Sequence, residues 1–214
     1  MKKEEQAGTF RFPAVRLTRL ARVLGAVAVA AAVAACSMET ATSPVSDAGG
    51  VRAANVLPGS ERLASERLAS GLVRTKPITS PLTARATFTA KGGKLVIKEL
   101  GVTLTVPANA LPRDTMTITM TALPGAMVVY EFEPHGTVFR TPLTLSHKLK
   151  GTKYDPTQDG RFGGHFTDRS KVDNLKGQVR ITETASPFIA NGSFNFKIGH
   201  FSGWMMSSGF ADEM

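Results

Sequence analysis

The sequence predicts an all-β fold, an antiparallel β-sandwich of about eight or more short strands, preceded by a signal-peptide helix and a disordered linker. Three observations point there. Beyond residue 86 the chain breaks into short runs rich in Val, Ile, Thr and Phe; Gly, Pro, Asn and Asp separate them; and no apolar period near 3.6 is sustained. The runs are, in order, Lys94–Lys98, Val102–Val106, Thr115–Thr121, Ala126–Phe132, Pro142–Lys148, Gln178–Glu183, Ser193–Ile198 and Gly203–Ser207. In the third, Met116, Ile118 and Met120 alternate with threonines, a period of two that buries one face and wets the other. Gly151–Lys176 is more polar and Gly/Asp-rich and reads as a loop or irregular hairpin.

Ahead of this domain, assigned to residues 86–214, residues 1–35 read as an export signal. Val23–Ala35 is an uncharged apolar run after a basic region, too short to span a bilayer as a stable helix. It stops at Cys36, the one cysteine of the chain, which excludes an internal disulfide and any multi-cysteine metal site. Val33-Ala34-Ala35-Cys36 resembles the bacterial lipobox, in which small residues admit the peptidase and the cysteine carries diacylglycerol. The resemblance implies cleavage before Cys36 and lipid anchorage through it, at about 0.8 kcal/mol for each buried methylene. The alternative is a secreted protein cut at an A-x-A-like site with a free thiol. Ser37 follows, and the lack of Asp there implies the outer membrane if the host is Gram-negative.

Residues 36–85 read as a flexible linker, rich in Ser, Thr, Ala, Pro and Gly and without an aromatic residue, reaching about 40 Å as a coil. Within it Glu61–Ser65 and Glu66–Ser70 repeat the same five residues, good helix formers ending at Gly71, so a short helix is plausible there. The period of five spreads Leu63 and Leu68 off a common helical face.

The net charge of +9 comes partly from the export signal, where six basic residues face two acidic ones. The 20 basic and 15 acidic residues beyond it leave +5, scattered without a basic run, so no nucleic-acid surface is expected.

Several elements stand in a telling order. Gly92-Gly93 precede a strand, Gly101 through Pro107 lead into Ala110-Leu111-Pro112, and Pro134 through Phe139 precede Thr141-Pro142-Leu143-Thr144-Leu145. The prolines end strands, having no N–H to donate, and Gly101 and Gly136 suit tight turns. From about Gly92 to Leu149 the chain resembles the ZU5 domain, the β-sandwich module of ankyrins, netrin receptors and zona-occludens proteins that also occurs in bacterial surface lipoproteins. The resemblance implies recognition of a protein partner and supplies no binding residues.

Gly199-His200-Phe201-Ser202-Gly203-Trp204 resembles the cleavage motif of self-cutting ZU5-containing death-domain scaffolds, which break before the serine. By that resemblance Ser202 is the nucleophile, attacking the Phe201 carbonyl, and His200 its base. The alternative is a quiet final strand with Phe201 and Trp204 in the core. The other histidines, His135, His147 and His165, show no metal-ligand spacing, so no metal or cofactor is expected. His135 suits a turn and His147 a strand end. Asp155, Asp159 and Gly160 lack the spacing and terminal glutamate of a calcium loop. With no phosphate cradle and no supported catalytic triad, no enzyme acting on an outside substrate is expected. The leading expectation is a lipid-anchored envelope protein binding an unidentified protein or envelope component. Self-cleavage between Phe201 and Ser202 and a purely structural envelope role are the alternatives.

Overall fold

The computed structural model describes residues 59–158 and 160–212. They fold into β1 (Ser60–Gly71), β2 (Val73–Ile78), β3 (Leu82–Thr89), β4 (Gly93–Ile97), β5 (Val102–Val106), β6 (Thr115–Ala122), β7 (Gly125–Met127) and β8 (Val129–Glu133). There follow β9 (Val138–Lys148), β10 (Phe162–Phe166), β11 (Val172–Asp173), β12 (Gln178–Ala185), β13 (Phe188–Ala190), β14 (Ser193–His200) and β15 (Gly203–Phe210). Two three-residue 3-10 turns interrupt them, and no α-helix occurs among the described residues.

The first sheet runs β1-β12-β10-β15-β8-β6-β3, with β11 beside β12; the second runs β13-β14-β9-β5-β4; β2 and β7 pair separately. All the pairings are antiparallel, as the alternating patterns require. The predicted β6 alternation holds, with Met116, Ile118 and Met120 buried and its threonines on the wetter face. There Thr117 bonds Thr87 at 2.9 Å and Thr121 bonds Thr83 at 3.1 Å across the ladder.

The larger core lies between the two sheets and contains Leu104, Ile118, Phe132, Leu145, Phe196, Phe201 and Trp204. A second core holds Phe166, Val179, Ile181 and Met205. Successive residues of β15 supply both, Trp204 and Met206 to one and Met205 to the other, because neighbours on a strand face opposite ways. Strand β1 also pairs with β15 through Ala69–Gly71, so β1, β12, β10 and β15 close into a ring around the second core.

Three expectations are corrected. Residues 60–85, expected as linker with a short helix over the repeat, form β1, β2 and the start of β3. Backbone partners on both sides of β1 override its helical propensity, and the small Ala69 and Gly71 are buried in the ring. The stretch Gly151–Lys176, expected as a loop or irregular hairpin, contains β10, fully buried between β12 and β15. The run Ala126–Phe132 divides at Val128 into β7 and β8; the Val128 N–H donates instead to the Leu72 carbonyl at 2.8 Å.

Candidate functional site at the β14–β15 crossing

Strand β14 belongs to the second sheet and β15 to the first, so Phe201 and Ser202 carry the chain between them. Their backbone is tied on both sides. The Phe201 N–H donates to the Thr137 carbonyl at 2.8 Å, the Gly136 N–H to the Phe201 carbonyl at 2.9 Å, and the Phe132 N–H to the Ser202 carbonyl at 2.9 Å. Phe201 is 1% exposed and stacks on Phe132 at 5.1 Å, with the Phe139 ring edge-on at 4.6 Å. Neither Phe201 nor Ser202 has a positive φ.

His200 and Ser202 come together near a third residue, His165 on β10. His165 is the register partner of Glu183 on β12 and of Trp204 on β15, so these side chains share one face. The His165 Nε2 is in hydrogen-bond contact with Ser202 Oγ, and its Nδ1 lies 2.8 Å from Thr182 Oγ1. His200 Nε2 faces Glu183 Oε2 at 2.9 Å, while the Ser60 hydroxyl donates to Oε1 of the same carboxylate. The His165 and His200 rings meet edge to face at 4.5 Å, and the Trp204 indole N–H donates to the His200 carbonyl at 3.2 Å.

Burial, then the charge of His200, lowers the His165 pKa to about 4 against a smaller pull from Glu183, so its ring is neutral at neutral pH. Burial pushes the Glu183 carboxyl up, but the hydrogen bonds from His200 and Ser60 outweigh it and hold the group below the usual glutamate value.

Space in front of the cluster comes from β1. Its ladder with β12 breaks between Arg62 and Arg67, and the displaced stretch roofs a cavity of about 410 Å³ floored by His165, Thr182, Glu183 and His200.

Of the residues singled out in the sequence, Ser202 and His200 thus lie in one cluster, but His165 rather than His200 touches the serine hydroxyl. His135 is exposed in the β8–β9 turn. His147 is buried in β9 with its Nδ1 2.6 Å from the Lys148 carbonyl; its pKa is lowered to about 4 by burial, against that backbone contact. The carboxylate of Asp155 accepts from the Thr157 N–H and hydroxyl, an ordinary turn. Val33, Ala34, Ala35, Cys36 and Asp159 lie outside the described residues. That His165 meets Thr182 and Glu183 is not legible in the sequence, because their strands come together only in the folded sheet.

Residues 84–127, spanning most of β3 through β7, match the ZU5 domain family. The match covers the first part of the segment that resembles it and begins eight residues earlier, within β3. A search of curated proteins finds no match to the chain.

Proposed function

We propose that the chain is a lipid-anchored envelope protein whose β-sandwich serves as a protein-interaction module and turns over no outside substrate. The match of residues 84–127 to the ZU5 domain is the observation that carries this reading. The lipobox-like Val33–Cys36 supplies the address, a membrane surface reached through lipid on Cys36. Strand β13 supplies a place for the partner. It ends the second sheet, its three residues are exposed, and Phe188 and Ile189 present apolar surface at 47% and 49% exposure. Such an edge accepts an extended segment by adding a strand to the sheet.

A photo-crosslinking residue at Ile189 in the full chain, expressed in its host, tests this. A discrete protein adduct from position 189, absent from position 91 in the exposed β3–β4 turn and abolished by Phe188→Asp, is the expected result. Equal labelling at both positions, or no adduct at either, contradicts it.

A second reading, self-cleavage, draws support from the contact between Ser202 Oγ and the neutral ring of His165. In it His165 Nε2 takes the hydroxyl proton, and Oγ bonds to the Phe201 carbonyl carbon while the Gly136 N–H holds the carbonyl oxygen. The Phe201–Ser202 C–N bond breaks, the nitrogen takes the proton from His165, and an ester remains. Water then hydrolyses that ester to a Phe201 carboxylate and the Ser202 hydroxyl, leaving a fragment that begins with the Ser202 amine freed in the previous step. Intact mass under denaturing conditions decides it: two fragments meeting between Phe201 and Ser202, absent in Ser202→Ala and His165→Gln, are expected. A single full-length mass contradicts it.

A further inference from the structure

The sequence shows no metal-ligand spacing, yet the fold gathers two imidazoles and a carboxylate from three strands at one cavity. We infer that His165, Glu183 and His200 form a site for a divalent late transition-metal ion, with a fourth coordination position open to the cavity beneath the β1 bulge. This inference rests on neither reading above.

The geometry comes first. One nitrogen from each histidine and one Glu183 oxygen all lie within 4.8 Å of one another. Around a tetrahedral zinc ion, with bonds of about 2.0–2.1 Å, ligand atoms stand about 3.3 Å apart. The His200–Glu183 pair, at 2.9 Å, needs to open only slightly, and the remaining separations, none above 4.8 Å, need to close by about 1.5 Å at most. Two nitrogens and one carboxylate oxygen suit zinc, cobalt and their neighbours better than magnesium or calcium, which favour oxygen.

The surroundings agree. His165 has a hydroxyl at each ring nitrogen, Thr182 on one and Ser202 on the other, so whichever nitrogen takes the ion, the second keeps an oriented partner. Ser60 holds Glu183 Oε1 and leaves Oε2 toward His200. Within the cavity wall Arg62 is the opposing charge, set against the carboxylates of Glu66 and Glu183. About 410 Å³ leaves room for water to complete the coordination.

The test uses the full chain in detergent, carrying Cys36→Ser so that the lone thiol binds no metal, and freed of metal with a chelator. Calorimetric titration with Zn2+ is expected to saturate at one ion per chain. Co2+ is expected to give the intense visible absorption of a low-symmetry nitrogen–oxygen site. Glu183→Gln and His200→Ala are each expected to weaken binding at least about tenfold. His135→Ala, altering an exposed histidine outside the cluster, is expected to leave it unchanged. Zinc is also expected to raise the Tm of the unsubstituted chain, a readout that holds even if a variant fails to fold. Absence of saturable binding, no rise in Tm, or undiminished affinity in the folded Glu183→Gln variant overturns the site.

Discussion

Gly203 follows the crossing at a point with no room for a side chain. A Cβ there would stand 2.0 Å from the Phe166 ring, and one on Gly163 would stand 2.5 Å from Phe196. Both rings belong to packed cores, so neither can simply swing away. Gly203→Ala is therefore expected to destabilise the fold by about 1–3 kcal/mol, read as a lower Tm in thermal unfolding. An unchanged Tm would show that Phe166 relaxes freely. The same packing explains a limit of the sequence reading. Gly163 and Gly164 resemble a turn in one dimension, but here they are the small members of a buried strand, set against Phe196 on one side and Ile181 and Met205 on the other. His165 follows them on the same strand, and its neighbours Glu183 and Trp204 come from strands far along the chain. Ser202 and His200, by contrast, stood out because their signal is local, two residues apart on one segment.

Strands with a clear period of two were legible at the element scale. Val102–Val106 coincides with β5, and Thr115–Thr121 falls one residue short of β6, because each has one dry and one wet face. Strands held mainly by their neighbours were not. The Glu-Arg-Leu-Ala-Ser repeat reads as a helix former, and it becomes β1 because β12 and β15 supply its hydrogen-bond partners. This has a direct consequence for the limits of the domain. A chain beginning at Thr87 lacks β1 and β2, leaves an edge of β12 open and removes Ala69 and Leu72 from the two cores. It is expected to lose cooperative unfolding in urea, whereas a chain of residues 59–214 keeps it. Equal, cooperative transitions for both would make β1 dispensable. Within β1 the bulge and the ladder also differ. Proline at Ala69, which faces β12 in phase with the Gly71 N–H that donates to the Gly177 carbonyl, removes a ladder donor and is expected to cost about 1–3 kcal/mol. Proline at Ser65, in the bulged stretch, is expected to cost less, and similar losses at both positions would count against the bulge.

Across the whole molecule, two buried histidines set the response to acid. His147 and His165 titrate near 4 in the folded chain, against about 6.5 unfolded, so the unfolded state binds more protons between those values. Their contribution is complete above about pH 6.5 and is lost progressively as pH falls toward 4, by about 3 kcal/mol for each histidine. Glu183, held below its usual value, extends the loss to lower pH. Tm is expected to drop steeply between pH 6.5 and 4.5, and His147→Leu is expected to flatten part of that slope; a flat profile in the unsubstituted chain would refute the assignment. The two-sheet sandwich itself was legible in the sequence, whereas the closed ring of β1, β12, β10 and β15 was not, since its closure depends on pairings far apart in the chain. What joins these scales is the proposal of a sandwich presented at a membrane surface. The intact mass of the chain extracted from host membranes tests that claim most directly. A species beginning at Cys36 and carrying acyl chains on it is the predicted result, and one that retains residues 1–35 or bears no lipid contradicts it.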